Sequence, residues 1–134
     1  MKQIFMLCVA LVLTGCASTL RYRPAPAEKL STAQLVRSTG EVVPWQLPFM
    51  ALSHFDGKNV RLIVLSEVGV KLLDANVTPA QTEVYYKISQ LPAAAVAAFA
   101  RFARASLAQT CPSREIDYQD APSRAEFKGE AVCP

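Results

Sequence analysis

The first fifteen residues decide how much of the chain is left to form a folded domain. Met1-Lys2-Gln3 is a short positive segment, and the ten residues from Ile4 to Leu13 are all apolar. A membrane-spanning helix needs about 20 apolar residues, so this stretch is too short to span and fits a secretory signal peptide. We therefore assign residues 1–15 to a signal peptide, and the rest of the 134 residues suffices for one small domain.

A cysteine ends this apolar segment. The motif Leu13-Thr14-Gly15-Cys16 resembles the lipobox of bacterial lipoproteins. The resemblance implies cleavage before Cys16, a diacylglycerol on its thiol and a further acyl group such as palmitate on the new amine. Two or more acyl chains anchor stably, because each buried methylene contributes about 0.8 kcal/mol. Ala17 stands where Asp is associated with the inner membrane, so we expect the outer membrane, facing the periplasm. The alternatives are a plain secretory leader or an uncleaved anchor.

The remaining cysteines predict a disulfide. Cys8 lies in the leader, which leaves Cys111 and Cys133 as the only pair in the folded part. Exported proteins usually oxidise such a pair. A bridge would close a loop of about 20 residues and stabilise the fold by about 3 kcal/mol. The alternative is two free thiols.

We predict a lipidated N-terminus and flexible tether over residues 16–40. Pro24 and Pro26 favour an extended course there, and a helical turn is expected near Thr32 to Arg37. Arg21 and Arg23 lie close to the anchor, where they can touch anionic lipid headgroups. Residues 41–134 then form a single domain.

Alternating and helical hydrophobic patterns predict an α+β domain. We expect an antiparallel β-meander, forming a curved sheet or half-barrel, covered by one long amphipathic helix and followed by a short hairpin. Prolines 44 and 48 make residues 42–47 an edge strand or a lead-in to the sheet. The predicted elements are an opening segment of the sheet over 42–55, strands over 59–65, 70–77 and 82–88, a helix over 92–109 and hairpin strands over 115–119 and 125–130.

The sequence contains little that points to catalysis. His54 is the only histidine, which excludes a multi-histidine metal site, and on a strand Ser53 and His54 point to opposite faces. We predict no catalytic residue, no metal and no cofactor, and hence a non-enzymatic protein. From Cys16 onward 13 basic residues balance 11 acidic ones, which does not favour nucleic acid as a partner. A hydrolase in which His54 meets a distant nucleophile is the enzymatic alternative.

The segment from Val60 to Asp74 is similar to strand–turn–strand passages of the LolA/LolB-like lipoprotein carriers. That resemblance implies a half-barrel with an apolar cavity for lipid, lidded by helices. We therefore predict a lipid or acyl chain in an apolar groove between meander and helix. The alternative is an accessory or scaffold lipoprotein that binds a protein partner in an envelope complex. The predicted groove residues are Leu62, Val64, Leu72, Tyr86, Phe99 and Phe102. The alternative for the aromatic group, Tyr85, Tyr86, Phe99 and Phe102, is that it forms an ordinary packed core.

Overall fold

The computed structural model describes residues 20–24, 35–108 and 115–132, and within them the fold is α+β, as predicted. One helix accompanies eight strands in these ranges. The strands are β1 (Leu20–Tyr22), β2 (Leu35–Val43), β3 (Leu47–Phe55), β4 (Val60–Leu65), β5 (Lys71–Val77), β6 (Thr82–Lys87), β7 (Glu115–Asp120) and β8 (Ala125–Val132); the helix is α1 (Ala93–Ala108).

All eight strands form one open sheet in the order β1-β6-β5-β4-β3-β2-β8-β7. Strands β2 to β6 follow one another along the chain and pair antiparallel, so the predicted meander is present in this part. The sheet as a whole is mixed, because β1 pairs parallel with β6. In the sequence, α1 lies between β6 and β7. Strand β7 forms the edge of the sheet opposite β1, and β8 lies between β7 and β2.

The sheet begins earlier in the chain than the sequence indicated. Residues 35–40 belong to β2, so the predicted helical turn is wrong over residues 35–37 and the predicted tether is wrong over 35–40. Strand β1 also lies within that predicted tether. The physical reason is long-range: β2 lies between β3 and β8, and these pairings outweigh a local helix signal.

The prolines are placed differently from the prediction of an edge strand. Pro44 lies in the turn between β2 and β3, while Pro48 lies within β3, an interior strand. Pro48 pairs with Glu41 of β2, but the pairing of β3 with β4 begins only at Met50. Pro48 therefore has one strand neighbour, which is the situation that proline tolerates in a sheet.

The helix and one face of the sheet, the helix face, enclose the core. Helix α1 packs on β4, β5 and β7. Four phenylalanines meet at its centre, one each from β3 and β8 and two from α1. Phe102 stacks on Phe127 at 4.6 Å between ring centroids, and Phe99 meets Phe127 edge-on at 5.3 Å. Phe49 contacts both helix rings at 5.7 Å. Burying each ring contributes about 1.5–3 kcal/mol.

Two β-bulges change which side chains reach which face. The β4–β5 register shifts so that Leu72 is the extra residue, and the β5–β6 register shifts so that Tyr85 is extra. Beyond that second shift Tyr86 lies opposite Asp74, on the face of the sheet away from α1, which we call the outer face. Strict alternation, from which the prediction was made, does not survive either bulge.

The sheet has two distinct ends. Strands β1, β2, β4, β6 and β7 begin at one end, the near end, which also holds the turns over residues 56–59 and 78–81. The far end holds the turns over 44–46, 66–70 and 121–124 and the start of α1. The predicted Asp-Gly turn is confirmed: Gly57 has φ of 102°, and Asp56 Oδ1 accepts hydrogen bonds from the Lys58 and Asn59 amides at 2.9 and 2.7 Å.

Candidate functional site

Most of the residues predicted to line a groove are packed inside the core. Leu62, Val64 and Phe99 have no exposed surface, and Phe102 is 1% exposed. These four residues belong to one hydrophobic core, in which they pack against one another and against neighbouring buried side chains. Leu72 is nearly buried and borders a pocket at the far end. Tyr86 is 46% exposed on the outer face, so it is not part of that group.

The far end holds an apolar pocket between the start of α1 and the β2–β3 turn. Its volume is about 270 Å³, and it is partly open to solvent. Seven of its eight lining residues are hydrophobic, with the amide of Gln90 as the polar exception. We call this the far-end pocket. Its lining residues are Trp45, Leu47, Leu72, Ile88, Gln90, Leu91, Pro92 and Ala95.

The turn between β2 and β3 positions Trp45 at the rim of this pocket. Pro44 precedes it, and Gln46 follows in the left-handed region with φ of 50°, an uncommon conformation for a residue other than glycine. The indole packs edge-on against Phe127 at 6.5 Å and keeps 36% of its surface exposed. Our sequence reasoning missed Trp45. The available signal was a single tryptophan placed between two prolines in a turn.

Three valines add exposed apolar surface at the same end of the sheet. Val43 precedes the Trp45 turn and is 38% exposed, while Val68 and Val70, in the β4–β5 turn, are 84% and 54% exposed. None of the three valines lines the far-end pocket, but all three are exposed apolar side chains that a partner at this end of the sheet could cover. We refer to Trp45, Val43, Val68 and Val70 as the far-end rim.

A buried ion pair ties the β7–β8 turn to the helix. Arg101 of α1 donates two hydrogen bonds to the Asp120 carboxylate, at 2.7 and 2.9 Å. The hydroxyls of Ser123 and Tyr118 also donate to that carboxylate. Burial raises the pKa of Asp120, but the hydrogen bonds from Arg101 and Ser123 outweigh it and lower the pKa from 3.8 to about 2. With the Ser123 amide, five donor groups surround this carboxylate and hold it ionised, which suits stabilisation rather than proton transfer.

A second ion pair lies on the outer face. Arg61 of β4 donates to both oxygens of Asp74 on β5, at 2.7 and 3.0 Å, and Lys71 approaches the same carboxylate at 3.4 Å. The Arg61 guanidinium also lies 4.6 Å from the centre of the Tyr85 ring. Burial raises the pKa of the Tyr85 hydroxyl, and the nearby Glu83 raises it further. This group joins the three strands β4, β5 and β6.

The only histidine is separated from its neighbouring serine, as the strand geometry predicts. Ser53 is 2% exposed on the helix face opposite Leu62, whereas His54 lies opposite Arg61 on the outer face. The His54 Nε2 atom is buried without a hydrogen-bond partner in the described part of the chain. Within residues 20–24, 35–108 and 115–132, no three acidic, cysteine or histidine side chains are close enough to hold a metal ion.

A larger depression of about 330 Å³ lies on the other side of α1. It is lined by Leu20, three alanines, Arg101, Pro122 and Ser123, and has no aromatic side chain. Arg101 and Ser123 are already bonded to Asp120, so they take part in the ion pair described above. The far-end pocket, with its aromatic rim and hydrophobic wall, is therefore the better candidate for binding.

No protein family, curated protein or solved structure matches this chain. The resemblances to bacterial lipoproteins and to lipoprotein carriers remain predictions. Cys16, Cys111 and Cys133 lie outside the described residues. Helix α1, the one helix in the described ranges, is too short to cross a membrane.

Proposed function

We propose that this chain is a lipid-anchored lipoprotein of the outer membrane that faces the periplasm and binds a protein partner through the far-end pocket. The function is non-enzymatic: the pocket receives an apolar side chain of an envelope protein, and the lipid on Cys16 keeps the domain at the membrane. The half-open pocket beneath Trp45 is the observation that carries this proposal.

The size of the pocket favours a side chain over a whole lipid. Ligand sites for small molecules usually measure about 300–1,000 Å³, and a dry cavity of about 150 Å³ holds one benzene ring. At about 270 Å³, the far-end pocket accommodates one or two large apolar side chains. The region predicted to hold an acyl chain is filled by Phe99, Phe102 and their neighbours.

The exposed rim gives such a partner more surface to cover. Trp45 has the shape of an interface anchor, because tryptophan combines a large apolar area with few rotatable bonds. Its contact with Phe127 limits its freedom before any partner binds, which lowers the entropy lost on association. Val43 lies directly before that turn, but it lies opposite Glu126 and therefore on the outer face rather than on the pocket side of the sheet.

The described strands also support the predicted disulfide, which we retain as part of the proposal. Glu115 at the start of β7 pairs with Glu130 of β8. Cys111 lies four residues before Glu115 in the sequence, and Cys133 lies three residues after Glu130. Such a bridge would hold the C-terminal hairpin at the near end of the sheet.

A lipid ligand is the second candidate, and the composition of the pocket wall favours it. Leu72, one of the predicted groove residues, lines the pocket together with Leu47, Ile88 and Leu91. These side chains would accept the end of a single acyl chain. The finer prediction of a half-barrel like that of the lipoprotein carriers belongs to this candidate.

Site-specific photo-crosslinking in living cells tests the partner proposal. A benzoylphenylalanine replaces Trp45 or Val68 at the rim. Tyr86, which is 46% exposed on the outer face, serves as the control position because its exposure lies between those of Trp45 and Val68. We expect one protein to be crosslinked from both rim positions and not from position 86. The same adducts from all three positions would contradict a dedicated site.

A substitution that fills the far-end pocket tests whether the crosslinked protein binds there. Ala95 lines the pocket and is 3% exposed, so Ala95→Leu occupies part of its volume. Ala94→Leu, at its exposed neighbour, is the matched control. We expect the Val68 adduct to disappear in the first variant and to persist in the second, with both variants melting as folded proteins. An acyl chain that copurifies with the wild type and is lost in Ala95→Leu would favour the lipid candidate instead.

The anchor is tested separately. Cys16→Ala is expected to release the protein from the membrane fraction, since the thiol that carries the diacylglycerol is gone. Cell fractionation measures the release, and circular dichroism of the purified variant checks that the domain remains folded. Retention of the variant in the membrane fraction would refute lipidation at Cys16.

A further inference from the structure

We infer that a second pocket, between α1 and the β5–β6 turn, binds a small monocarboxylate through Arg104 and Thr82. We call it the Arg104 pocket. The inference goes beyond the proposed function, since it depends neither on the lipid anchor nor on the far-end pocket. Three observations carry it: a partly buried arginine without an acidic partner, a buried hydroxyl without a hydrogen bond, and the size and net charge of the pocket.

The Arg104 pocket exists because the helix carries short side chains where it meets the β5–β6 turn. Ala97 and Ala100 of α1 form part of its wall, and Val77 and Pro79 lie on the sheet side. The volume is about 160 Å³, and the pocket is partly open to solvent. None of its lining residues also lines the far-end pocket, so the two are separate sites.

Arg104 brings a positive charge to this pocket that no described acid balances. Its Nη1 atom donates to the Thr78 carbonyl at 3.2 Å, and within the described residues no carboxylate forms an ion pair with it. A guanidinium has five N–H donors, so most of those of Arg104 remain available. Because the side chain is partly buried, an anion in the pocket would supply the missing opposite charge.

Thr82 adds a buried hydroxyl to the same pocket. It pairs with Val77 of β5, which places its side chain on the helix face, and it is only 8% exposed. Its hydroxyl makes no hydrogen bond in the part of the chain that the structure describes. Buried hydroxyls are nearly always hydrogen-bonded, and the neighbouring Thr78 hydroxyl is indeed bonded to the Gln81 backbone. An acceptor oxygen in the pocket would give Thr82 its partner.

The net charge of the pocket favours a carboxylate over a phosphate. Arg101 also lines it, but its Nε and Nη2 atoms bind the Asp120 carboxylate, which balances its charge. Arg104 therefore leaves the site with one positive charge. A carboxylate carries one negative charge and matches the planar fork of a guanidinium, whereas a phosphate group carries more than one at neutral pH.

The volume of the pocket limits the size of the ligand. A cavity of about 150 Å³ holds one benzene ring, which has about as many non-hydrogen atoms as butyrate. At about 160 Å³, the Arg104 pocket suits a carboxylate with a short aliphatic chain, which Val77 and Pro79 would contact. The depression of about 330 Å³ described above shares Ala97 and Arg101 with this pocket, so a longer chain would have open space beside it.

Saturation-transfer NMR on the full-length protein in a nonionic detergent tests the site. Acetate and butyrate are observed directly, and inorganic phosphate is added as a competitor; all three are too soluble in water to partition into the detergent. Arg104→Gln removes the charge, and Thr82→Val removes the hydroxyl while keeping the branched shape that suits a strand. Arg37→Gln, at an exposed arginine on the outer face, is the matched control. Thermal melts establish that each variant is folded.

We expect butyrate to bind about fifteenfold more tightly than acetate, at about fourfold for each buried methylene, and phosphate to compete weakly. Arg104→Gln and Thr82→Val should each weaken butyrate binding about tenfold, and Arg37→Gln should leave it unchanged. If Arg104→Gln does not fold, Thr82→Val decides alone. The inference is overturned if butyrate does not bind the wild type, if the folded site variants bind it as the wild type does, or if Arg37→Gln weakens it equally. Phosphate that binds more tightly than butyrate overturns the assignment to a carboxylate.

Discussion

Replacing Asp120 by asparagine should weaken the fold in a way that depends on pH. The carboxylate is 1% exposed and accepts hydrogen bonds from Arg101, Tyr118 and Ser123. These contacts join the helix to the turn between β7 and β8. Asparagine keeps the shape of the side chain but loses its charge, so Arg101 is left without its ionic partner.

The size of the effect follows from the pKa of Asp120. The donors lower it from 3.8 to about 2, a difference of just under two pH units at 1.36 kcal/mol each, or about 2 kcal/mol of stability at neutral pH. Because the folded pKa lies below the unfolded one, the stabilisation is complete above about pH 4 to 5. It is lost as the pH falls through the folded value, and no difference from this source remains below it.

Urea unfolding of the wild type and Asp120→Asn, followed by circular dichroism from pH 7 to pH 2, measures this difference. We expect the variant to be less stable by about 2 kcal/mol at pH 7 and the gap to narrow below pH 4. Asp117→Asn, on the exposed side of the same strand, is the matched control and should change little. A gap of constant size across the whole range would refute the assignment of this stability to the Asp120 charge.

Three further changes test the core, the sheet and the disulfide. Phe99→Ala should lower the free energy of unfolding by about 3–5 kcal/mol in thermal melts; a small effect would mean that Phe99 borders a groove after all. Gly40→Ala should lower the free energy of unfolding, measured in urea, by about 1–3 kcal/mol or more, because a Cβ there would overlap the Lys128 carbonyl across the β2–β8 pair. A variant as stable as the wild type would show that these two strands can move apart to make room for the Cβ. Cys111→Ser should lower the free energy of unfolding by about 3 kcal/mol, and reduction of the wild type should have the same effect. If neither change alters the stability, or if mass spectrometry finds two free thiols, the bridge to Cys133 is refuted.

Local patterns predicted the elements whose signals are local. The strands from Val60 to Lys87 alternate hydrophobic residues and are separated by Asp-Gly, glycine or proline turns, and α1 follows a proline in an alanine-rich segment. Strands β1 and β2 were missed because their stability comes from distant partners. Strand β2 pairs with β8, some ninety residues later in the chain, and no feature between Leu35 and Gly40 announces that contact.

The candidate site was less predictable than the fold. Face assignments from strict alternation failed at the bulges, so Leu72 and Tyr86 were expected on the same side and lie on opposite ones. Helical spacing placed Phe99 and Phe102 on the apolar face of the helix and left core and groove as alternatives. Their ring contacts with Phe49 and Phe127 decide for the core, and those contacts cannot be read from periodicity. The pocket itself exists because the start of α1 meets the Trp45 turn, and that meeting is a property of the folded chain.

In the lipid-anchored protein that we propose, strand β1 limits how far the domain reaches from Cys16. It is three residues long and pairs with β6 alone, so its separation from the sheet requires much less free energy than global unfolding. After β1, the next described residue that pairs in the sheet is Leu35, and a fully extended chain from Cys16 spans at most about 14 Å to Leu20 but about 65 Å to Leu35. A partner that is out of reach while β1 is paired with β6 comes within range when β1 separates. Hydrogen exchange of the Arg23 amide, which donates to the Val84 carbonyl, reports how often this separation occurs.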